Sequence, residues 1–189
     1  MPRAEGDRTT AEVRRETIAS AALRVFARTG YHATPVADVA AASGYSQAYV
    51  FRLFSDKLTL FVAALDLCFT RIRSALATGA DRSTSRTPEA VLETMGNAYA
   101  NLIADRDLLM LQVHAQSASD IPEIREAMRR GLAAIVELVR ERSGADAAAI
   151  QRFIAYGQLC HLIVTAGLDD VDASWARALT GGMTHVGVR

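Results

Sequence analysis

Five side chains, about a quarter of the way along the chain, have the chemistry to contact a DNA duplex. Gln47 carries an amide that can form paired hydrogen bonds with an adenine edge, and Ala48 can contact a thymine methyl group. Tyr45 and Tyr49 can reach phosphates or bases, and Arg52 adds a guanidinium nearby, although it could equally pair with a neighbouring acid. These residue types also occur on ordinary exposed helix faces, so the interpretation depends on the elements that hold them.

A helix, a tight turn and a second helix are predicted around these side chains. Thr34 followed by Pro35 is typical of an N-cap with proline in the first helical turn. Gly44 lies where the chain must reverse, and glycine accepts the left-handed backbone that such a turn needs. Ser46 can cap the next helix, which runs to about Phe54 and is ~13 Å long. This length suits a major groove ~12 Å wide, so the pattern predicts a helix-turn-helix.

Longer helices are predicted on both sides of this unit. Apolar residues at positions 18–26 recur three and four apart and predict a first helix that ends at Gly30. Asp56 can cap a long fourth helix, in which apolar residues at positions 58–76 keep the helical period. Lys57, the only lysine in the chain, lies at the start of that helix and can contact a DNA phosphate.

The rest of the chain is predicted to form a helical bundle. The stretch TGADRSTSRTP, at positions 78–88, is polar and ends in a Thr-Pro helix start, which makes it the clearest break. Further helices are predicted at about 88–104, 107–118, 121–143, 146–166 and 173–180. The predicted fold is all-α with about nine helices. A helix-turn-helix domain at 11–71 is joined by the long fourth helix to a helical effector-binding and dimerisation domain at 72–189.

Composition excludes several classes of protein. The 21 basic and 21 acidic residues balance, and half of the residues are hydrophobic, which excludes a disordered tail protein. No apolar run approaches the ~20 residues of a membrane helix, and the polar start of the chain has no apolar segment typical of a secretory signal. Cys68 and Cys160 lie in apolar helical patterns and are interpreted as buried free thiols. The predicted location is the cytoplasm, and no membrane contact is predicted.

Residues 14–65 resemble the N-terminal domain of TetR-family transcriptional regulators. Members usually show Ser-x-Gly-x-Leu-Tyr-x-x-Phe-x-x-Lys, and residues 46–57 of this chain read Ser-Gln-Ala-Tyr-Val-Phe-Arg-Leu-Phe-Ser-Asp-Lys. Besides an apolar first helix, the resemblance is carried by Phe26, Gly30, Tyr31, Thr34, Val39, Ala40, Gly44, Ser46, Phe54 and Lys57. Phe51 stands where members often have a tyrosine whose hydroxyl meets a phosphate. Tyr49 is the candidate replacement for that contact.

The resemblance implies a homodimeric regulator of transcription, most often a repressor, whose two recognition helices read a pseudo-palindromic operator in double-stranded DNA. Its implied DNA-binding residues in this chain are Thr34, Tyr45, Ser46, Gln47, Ala48, Tyr49, Arg52 and Lys57. Arginines before residue 16 could form a flexible arm on the DNA backbone or in the minor groove.

The resemblance also implies a small-molecule effector and a dimer seam in the C-terminal bundle. Soft or polar-aromatic residues on helices that would line a cavity are Met95, Tyr99, Met110, His114, Tyr156 and His161. Family dimers use the last two long helices, which implies a seam at Phe153, Gly157, Cys160, Val164 and Trp175. The alternative is that the helix around Gly157 packs within its own chain.

No catalytic residue, metal site or cofactor is predicted. The sequence has no Gly-rich phosphate loop and no Gly-x-Ser-x-Gly elbow, and neither His114 nor His161 has an acidic or cysteine partner three or four residues away. Two alternatives stay open beside a ligand-responsive repressor. One is a dimeric DNA-binding factor that needs no ligand, and the other is a small helical enzyme in which the N-terminal motif is coincidental.

Overall fold

The computed structural model describes residues 10–182, which form nine α-helices, one short 3-10 helix and no strand. The helices are α1 (Thr10–Ala33), α2 (Val36–Ser43), α3 (Gln47–Phe54), α4 (Lys57–Asp81), α5 (Pro88–Ile103), α6 (Arg106–Ser117), α7 (Pro122–Ser143), α8 (Ala147–Ala166) and α9 (Ser174–Thr180). The 3-10 helix, Leu168–Asp170, follows α8 and was not predicted. The all-α class and the order of the helices are confirmed.

The first three helices pack around the beginning of α4. Phe26 of α1 and Phe61 of α4 meet edge to face with ring centroids 4.9 Å apart, a favoured aromatic geometry. Val50 and Phe54 of α3 are buried in the same core. Between α2 and α3, Gly44 adopts φ 75° and ψ 15°, the left-handed conformation that the turn requires. These contacts hold the helix-turn-helix in one arrangement.

Thr34 has a different role from the predicted one. α2 begins at Val36, so Pro35 and not Thr34 holds the N-cap position. The Thr34 side chain is only 1% exposed. Its hydroxyl donates to the Gly30 carbonyl at 2.7 Å and lies 2.6 Å from the Thr29 hydroxyl. Because the hydroxyl is buried and bonded inside the domain, the predicted DNA contact of Thr34 is corrected to a structural role at the end of α1.

α4 connects the N-terminal unit to the bundle. It packs along α1 on one side and along α5 and α7 on the other. Where α7 crosses α4, a Cβ added at Gly131 would lie 2.3 Å from the Phe69 ring, so glycine permits the close approach. The boundary predicted at residues 71 and 72 lies within this continuous helix, and the division into two domains stays a prediction.

Gly30 is a second point of contact between the N-terminal unit and the bundle. It has φ 75° and ψ 179°, a combination that essentially only glycine adopts, and it interrupts α1 where the sequence predicts the helix to end. A Cβ at this position would lie 2.8 Å from Nδ1 of His114 on α6. The imidazole of His114 therefore lies directly against the end of α1.

Replacing Gly30 with alanine is expected to lower the free energy of unfolding by about 2–4 kcal/mol, because backbone strain and a steric contact add. Gly144→Ala is the matched control, since Gly144 has φ 66° but a Cβ there would meet no atom within 4 Å. Urea unfolding of G30A, H114A, the double variant and G144A separates the two causes. If G30A lowers the free energy of unfolding as much in the H114A background as in the wild type, the contact with His114 contributes nothing.

Candidate nucleic-acid interface

The orientation of α3 follows from the two sides of the helix. Val50 and Phe54 are buried against α1 and α4, whereas Gln47, Ala48 and Arg52 are exposed. The helix starts at Ser46, whose hydroxyl oxygen accepts a hydrogen bond from the Tyr49 N–H at 3.2 Å. This cap confirms the predicted helix start. It also gives the Ser46 side chain a local partner, so its role in the free protein is to begin the helix.

A pair of tyrosines forms one flank of this exposed face. The rings of Tyr45 and Tyr49 stack with centroids 5.2 Å apart and an interplanar angle of 17°. The guanidinium carbon of Arg52 lies 4.4 Å from the centre of the Tyr49 ring, within range of a cation–π interaction. Arg52 therefore has an aromatic partner rather than an acidic one. Tyr45, Gln47, Ala48, Tyr49 and Arg52 thus form one surface, which we call the α3 face.

Arg14 joins the α3 face from α1. Its Nη1 donates to the Tyr49 hydroxyl at 3.3 Å, across 35 positions of sequence. The hydrogen bond from Arg14 lowers the pKa of the Tyr49 phenol, as does the nearby guanidinium of Arg52. The phenol and the guanidinium together offer several donors to one phosphate oxygen. No local sequence pattern links Arg14 to Tyr49, and the prediction placed this arginine in a flexible arm. Arg3 and Arg8 of that predicted arm lie outside the described residues.

Arg15 anchors the start of α1 to the end of α3. Its Nη1 donates to the Leu53 carbonyl at 2.5 Å, and its guanidinium carbon lies 4.4 Å from the centre of the Phe54 ring. Because the last carbonyls of a helix lack partners within the helix, a cation here also compensates the helix dipole. Arg15 therefore stabilises the α3 face without being part of it.

Lys57 is held at the beginning of α4. Its Nζ donates to the His32 carbonyl at 3.0 Å and lies 5.0 Å from the centre of the Tyr31 ring. Partial burial lowers the pKa of this ammonium group. One hydrogen bond leaves the other N–H groups of the ammonium available, and the contact to His32 fixes its position. The predicted phosphate contact thus has a preorganised donor.

The comparisons with known proteins agree with this arrangement. The family model described as bacterial regulatory proteins, tetR family, matches residues 18–64, which run from α1 through the helix-turn-helix into α4. Over these residues the chain is similar to that family. No curated protein sequence gives a significant match.

Solved structures of bacterial regulators share the fold over nearly the whole chain. A TetR-like transcriptional regulator from Rhodococcus sp. RHA1 is 23% identical with a TM-score of 0.63, covering 96% of this chain and 99% of that chain. The fatty acid degradation regulator FadR from Bacillus halodurans is 19% identical with a TM-score of 0.65, covering 95% and 100%. FadR from Bacillus subtilis, in complex with stearoyl-CoA, is 16% identical with a TM-score of 0.69, covering 89% and 99%.

The bundle contains a cavity of about 960 Å³. Helices α4, α5, α7 and α8 supply most of its lining, and Gln112 of α6 reaches it as well. Of the six predicted ligand residues, Tyr99 and Tyr156 line the cavity. Met95 is buried in the core, Met110 packs against the cluster of Ile103, Leu109 and Cys160, and His114 lies against Gly30. The volume is within the usual range for small-molecule sites.

His161, the sixth predicted ligand residue, lies behind Tyr99. Its Nε2 is 2.8 Å from the Tyr99 hydroxyl, and the imidazole is only 5% exposed. Burial lowers the pKa of His161 to about 4 and raises the pKa of the Tyr99 phenol. Both groups are therefore uncharged at neutral pH. The sequence singled out both residues but could not pair them, because they are 62 positions apart.

Four of the five residues predicted for the dimer seam face their own chain. Phe153 lies 3.8 Å from a Cβ built at Gly96, and a Cβ built at Gly157 would lie 3.6 Å from the Tyr99 ring. Cys160 and Val164 pack with residues of α5 and α6. Within the chain, this face of α8 packs against α5 and α6. Trp175, the fifth predicted residue, is 56% exposed.

No helix within residues 10–182 is long and apolar enough to cross a membrane. Over the same residues, no group of three or more His, Cys, Asp or Glu side chains is arranged to hold a metal ion.

Proposed function

We propose that this chain is a TetR-family regulator, a homodimer that binds a pseudo-palindromic DNA operator through the α3 face, acts as a repressor, and responds to a small molecule in the bundle cavity. The observation that carries the proposal is the α3 face itself. The Gln47 amide and the Ala48 methyl group are exposed beside two half-buried, stacked tyrosines, and the opposite side of the helix is buried. Because DNA is the proposed partner, the proposed location is the cytoplasm.

Sequence readout is assigned to the N-terminal end of α3. Gln47 and Ala48 are the first two residues of the helix and are both exposed. In helix-turn-helix proteins the first turns of the second helix contact base edges in the major groove. Gln47 is proposed to pair with an adenine, and Ala48 to contact a thymine methyl group. Backbone positioning is assigned to Tyr49 with Arg14, and to Lys57 at the start of α4.

The Tyr49 phenol is expected to contribute through a phosphate rather than through a base. Tyr49→Phe removes the hydroxyl that Arg14 orients and is expected to weaken binding to all DNA sequences about 3- to 10-fold. Phe51→Tyr is the reciprocal test, because it restores a hydroxyl where family members often carry one, and it is expected to increase affinity. Fluorescence anisotropy on specific and random duplexes measures both. A change of sequence preference in Y49F would contradict the assignment to phosphate.

The proposed dimer surface is the outer face of α8 together with α9. Four small or apolar side chains on this face recur at the four-three-four spacing of packed helices, and all are at least partly exposed: Ala155, Leu159, Leu162 and Ala166. Leu162 is 51% exposed and Trp175 of α9 is 56% exposed. We call this surface the outer α8 face. An exposed apolar stripe of this kind is typical of a helix that packs against a second copy.

Two helices connect the cavity to the DNA-binding unit. α4 lines the cavity with Ile72 and Leu76 and begins at Lys57. α6 reaches the cavity with Gln112 and contacts Gly30 with His114. A molecule that binds one arrangement of these two helices more tightly than another shifts the protein toward that arrangement and so changes the spacing of the two α3 faces in the dimer. A molecule with equal affinity for both arrangements would change nothing.

Selection from random double-stranded DNA tests the proposed function directly. The expected product is a pseudo-palindrome whose half-sites lie about one helical turn (~34 Å) apart. Failure to enrich any duplex at ~0.1 M salt would overturn the DNA-binding proposal. For the effector, calorimetry should show that a ligand binds free and operator-bound protein with unequal affinities. If every ligand that binds has equal affinity for the two forms, the protein is a dimeric DNA-binding factor that does not respond to a ligand.

A further inference from the structure

We infer that the bundle cavity binds an elongated, mostly apolar molecule that carries an uncharged hydrogen-bonding group, such as a hydroxyl, at the end next to Tyr99. The inference deepens the proposed function by naming the chemical class of the effector. Its experimental test does not require DNA, so the two proposals can fail separately.

The shape of the cavity follows from the packing of α5 and α8. Gly96 faces Phe153, and Gly157 faces Tyr99, so the two helices run in the same direction with an aromatic ring beside each glycine. The cavity follows this seam from Pro88 at the start of α5. Apolar lining comes from four helices, through Ile72, Leu76, Leu92, Leu132, Ile135 and Phe153. A groove of this kind favours a ligand with an extended apolar body.

The polar groups at the Tyr99 end have incomplete hydrogen bonding. Nε2 of His161 is bonded to the Tyr99 hydroxyl, but among the described residues the buried Nδ1 has no hydrogen-bond partner. If the phenol donates to Nε2, its oxygen can still accept a further hydrogen bond, and if Nε2–H donates to the phenol oxygen, the phenol proton can be donated elsewhere. In both arrangements the Tyr99 hydroxyl can form a second hydrogen bond, with an uncharged hydroxyl of a molecule in the cavity.

Gln112 adds a second uncharged polar side chain to this part of the cavity. Its amide is only 5% exposed, lines the cavity and donates from Nε2 to the Leu108 carbonyl at 3.1 Å. Gln112 also opposes the rise in the pKa of the Tyr99 phenol that burial causes. The buried polar groups here are thus uncharged, and an uncharged hydroxyl of a ligand matches them.

The placement of charge excludes an ionised group at this end. The charged residues of the cavity lining are Glu89, Glu93, Asp146 and Arg152, and all four are exposed to solvent. Tyr99, Gln112 and His161 are uncharged at neutral pH. A buried carboxylate or ammonium without a charged partner costs several kcal/mol. An uncharged hydroxyl or carbonyl carries no such cost.

The test compares ligands of one length with different polar groups. Displacement of the uncharged fluorophore N-phenyl-1-naphthylamine from the full chain is measured with decan-1-ol, decanoate and decylammonium. Decan-1-ol is expected to displace the fluorophore at a concentration roughly 10-fold or more below that of either ion. In Tyr99→Phe this advantage should fall to about 3-fold or less, whereas in Tyr31→Phe, at a position outside the cavity lining, it should persist.

Three results would overturn the inference. They are an ion that displaces the fluorophore as well as the alcohol does, an alcohol advantage that is unchanged in Y99F, and absence of fluorophore binding by the wild-type protein. Thermal unfolding of Y99F and of a second variant, Gln112→Leu, verifies that each is folded. Binding of DNA by the ligand-free protein is measured separately, so failure here leaves the DNA-binding proposal to its own test.

Discussion

Leu162→Glu is expected to convert the proposed dimer into a monomer and to lower affinity for a two-half-site operator by a factor of about 100 or more. Leu162 is 51% exposed at the centre of the outer α8 face, so the free chain tolerates a carboxylate there. In a symmetric dimer the same position on the second copy lies close by, and two buried carboxylates would face an apolar surface. Loss of the dimer removes the gain in affinity from binding two half-sites at once.

The matched control is Ala133→Glu, which adds the same charge at an exposed position of α7. Sedimentation equilibrium gives the mass of each variant, and anisotropy titration gives its affinity for the selected operator and for a single half-site. A133E should behave as the wild type, and L162E should bind a single half-site almost as well as the wild type. A dimeric L162E with unchanged operator affinity would place the seam elsewhere.

Replacing Gln47 with alanine is expected to remove base preference at one position of each half-site and to lower affinity for the selected operator about 10- to 100-fold. A bidentate contact to a base contributes about 1–3 kcal/mol of discrimination. Gln47 is exposed at the first position of α3, so its removal leaves the fold intact. Affinity for random DNA should change little, because most of that affinity comes from phosphates.

Lys57→Ala is the contrasting variant. It should weaken specific and random DNA alike and reduce the slope of log affinity against log salt by about 1 per contact. Because Nζ of Lys57 also donates to the His32 carbonyl, circular dichroism must show that the N-terminal unit is still folded. If Q47A keeps full selectivity, Gln47 does not read a base, and the assignment passes to another residue of the α3 face.

The features that sequence alone predicted are those that depend on neighbours in the chain. Gly44 has the left-handed conformation expected at the turn, and Ser46 caps the following helix as expected. The ends of α7 and α8 at Gly144 and Gly167 were predicted from the same chemistry. Backbone conformation and capping are set by residues within one helical turn, so they can be read from short stretches.

Thr34 and α8 show where such reasoning fails. Thr34 has the residue type of a cap, but its buried hydroxyl donates to the Gly30 carbonyl instead of accepting from an N–H group in the first turn of α2. In α8 both the predicted seam and the outer α8 face have a helical apolar spacing. Periodicity identifies a helix with two apolar sides, but it does not say which side packs against other helices of the same chain. Only the position of α5 decides that Gly157 packs against Tyr99.

The sequence by itself determined that this protein is all-helical and that a short helix, α3, follows a glycine turn near its N-terminus, because both depend on local propensity and spacing. Tertiary structure decided that Arg14 meets Tyr49, that His114 lies against Gly30, and that His161 and Tyr99 share a hydrogen bond at the cavity. These contacts join residues that are far apart in sequence. Their geometry is set by how whole helices pack around one core, and no local pattern specifies that packing.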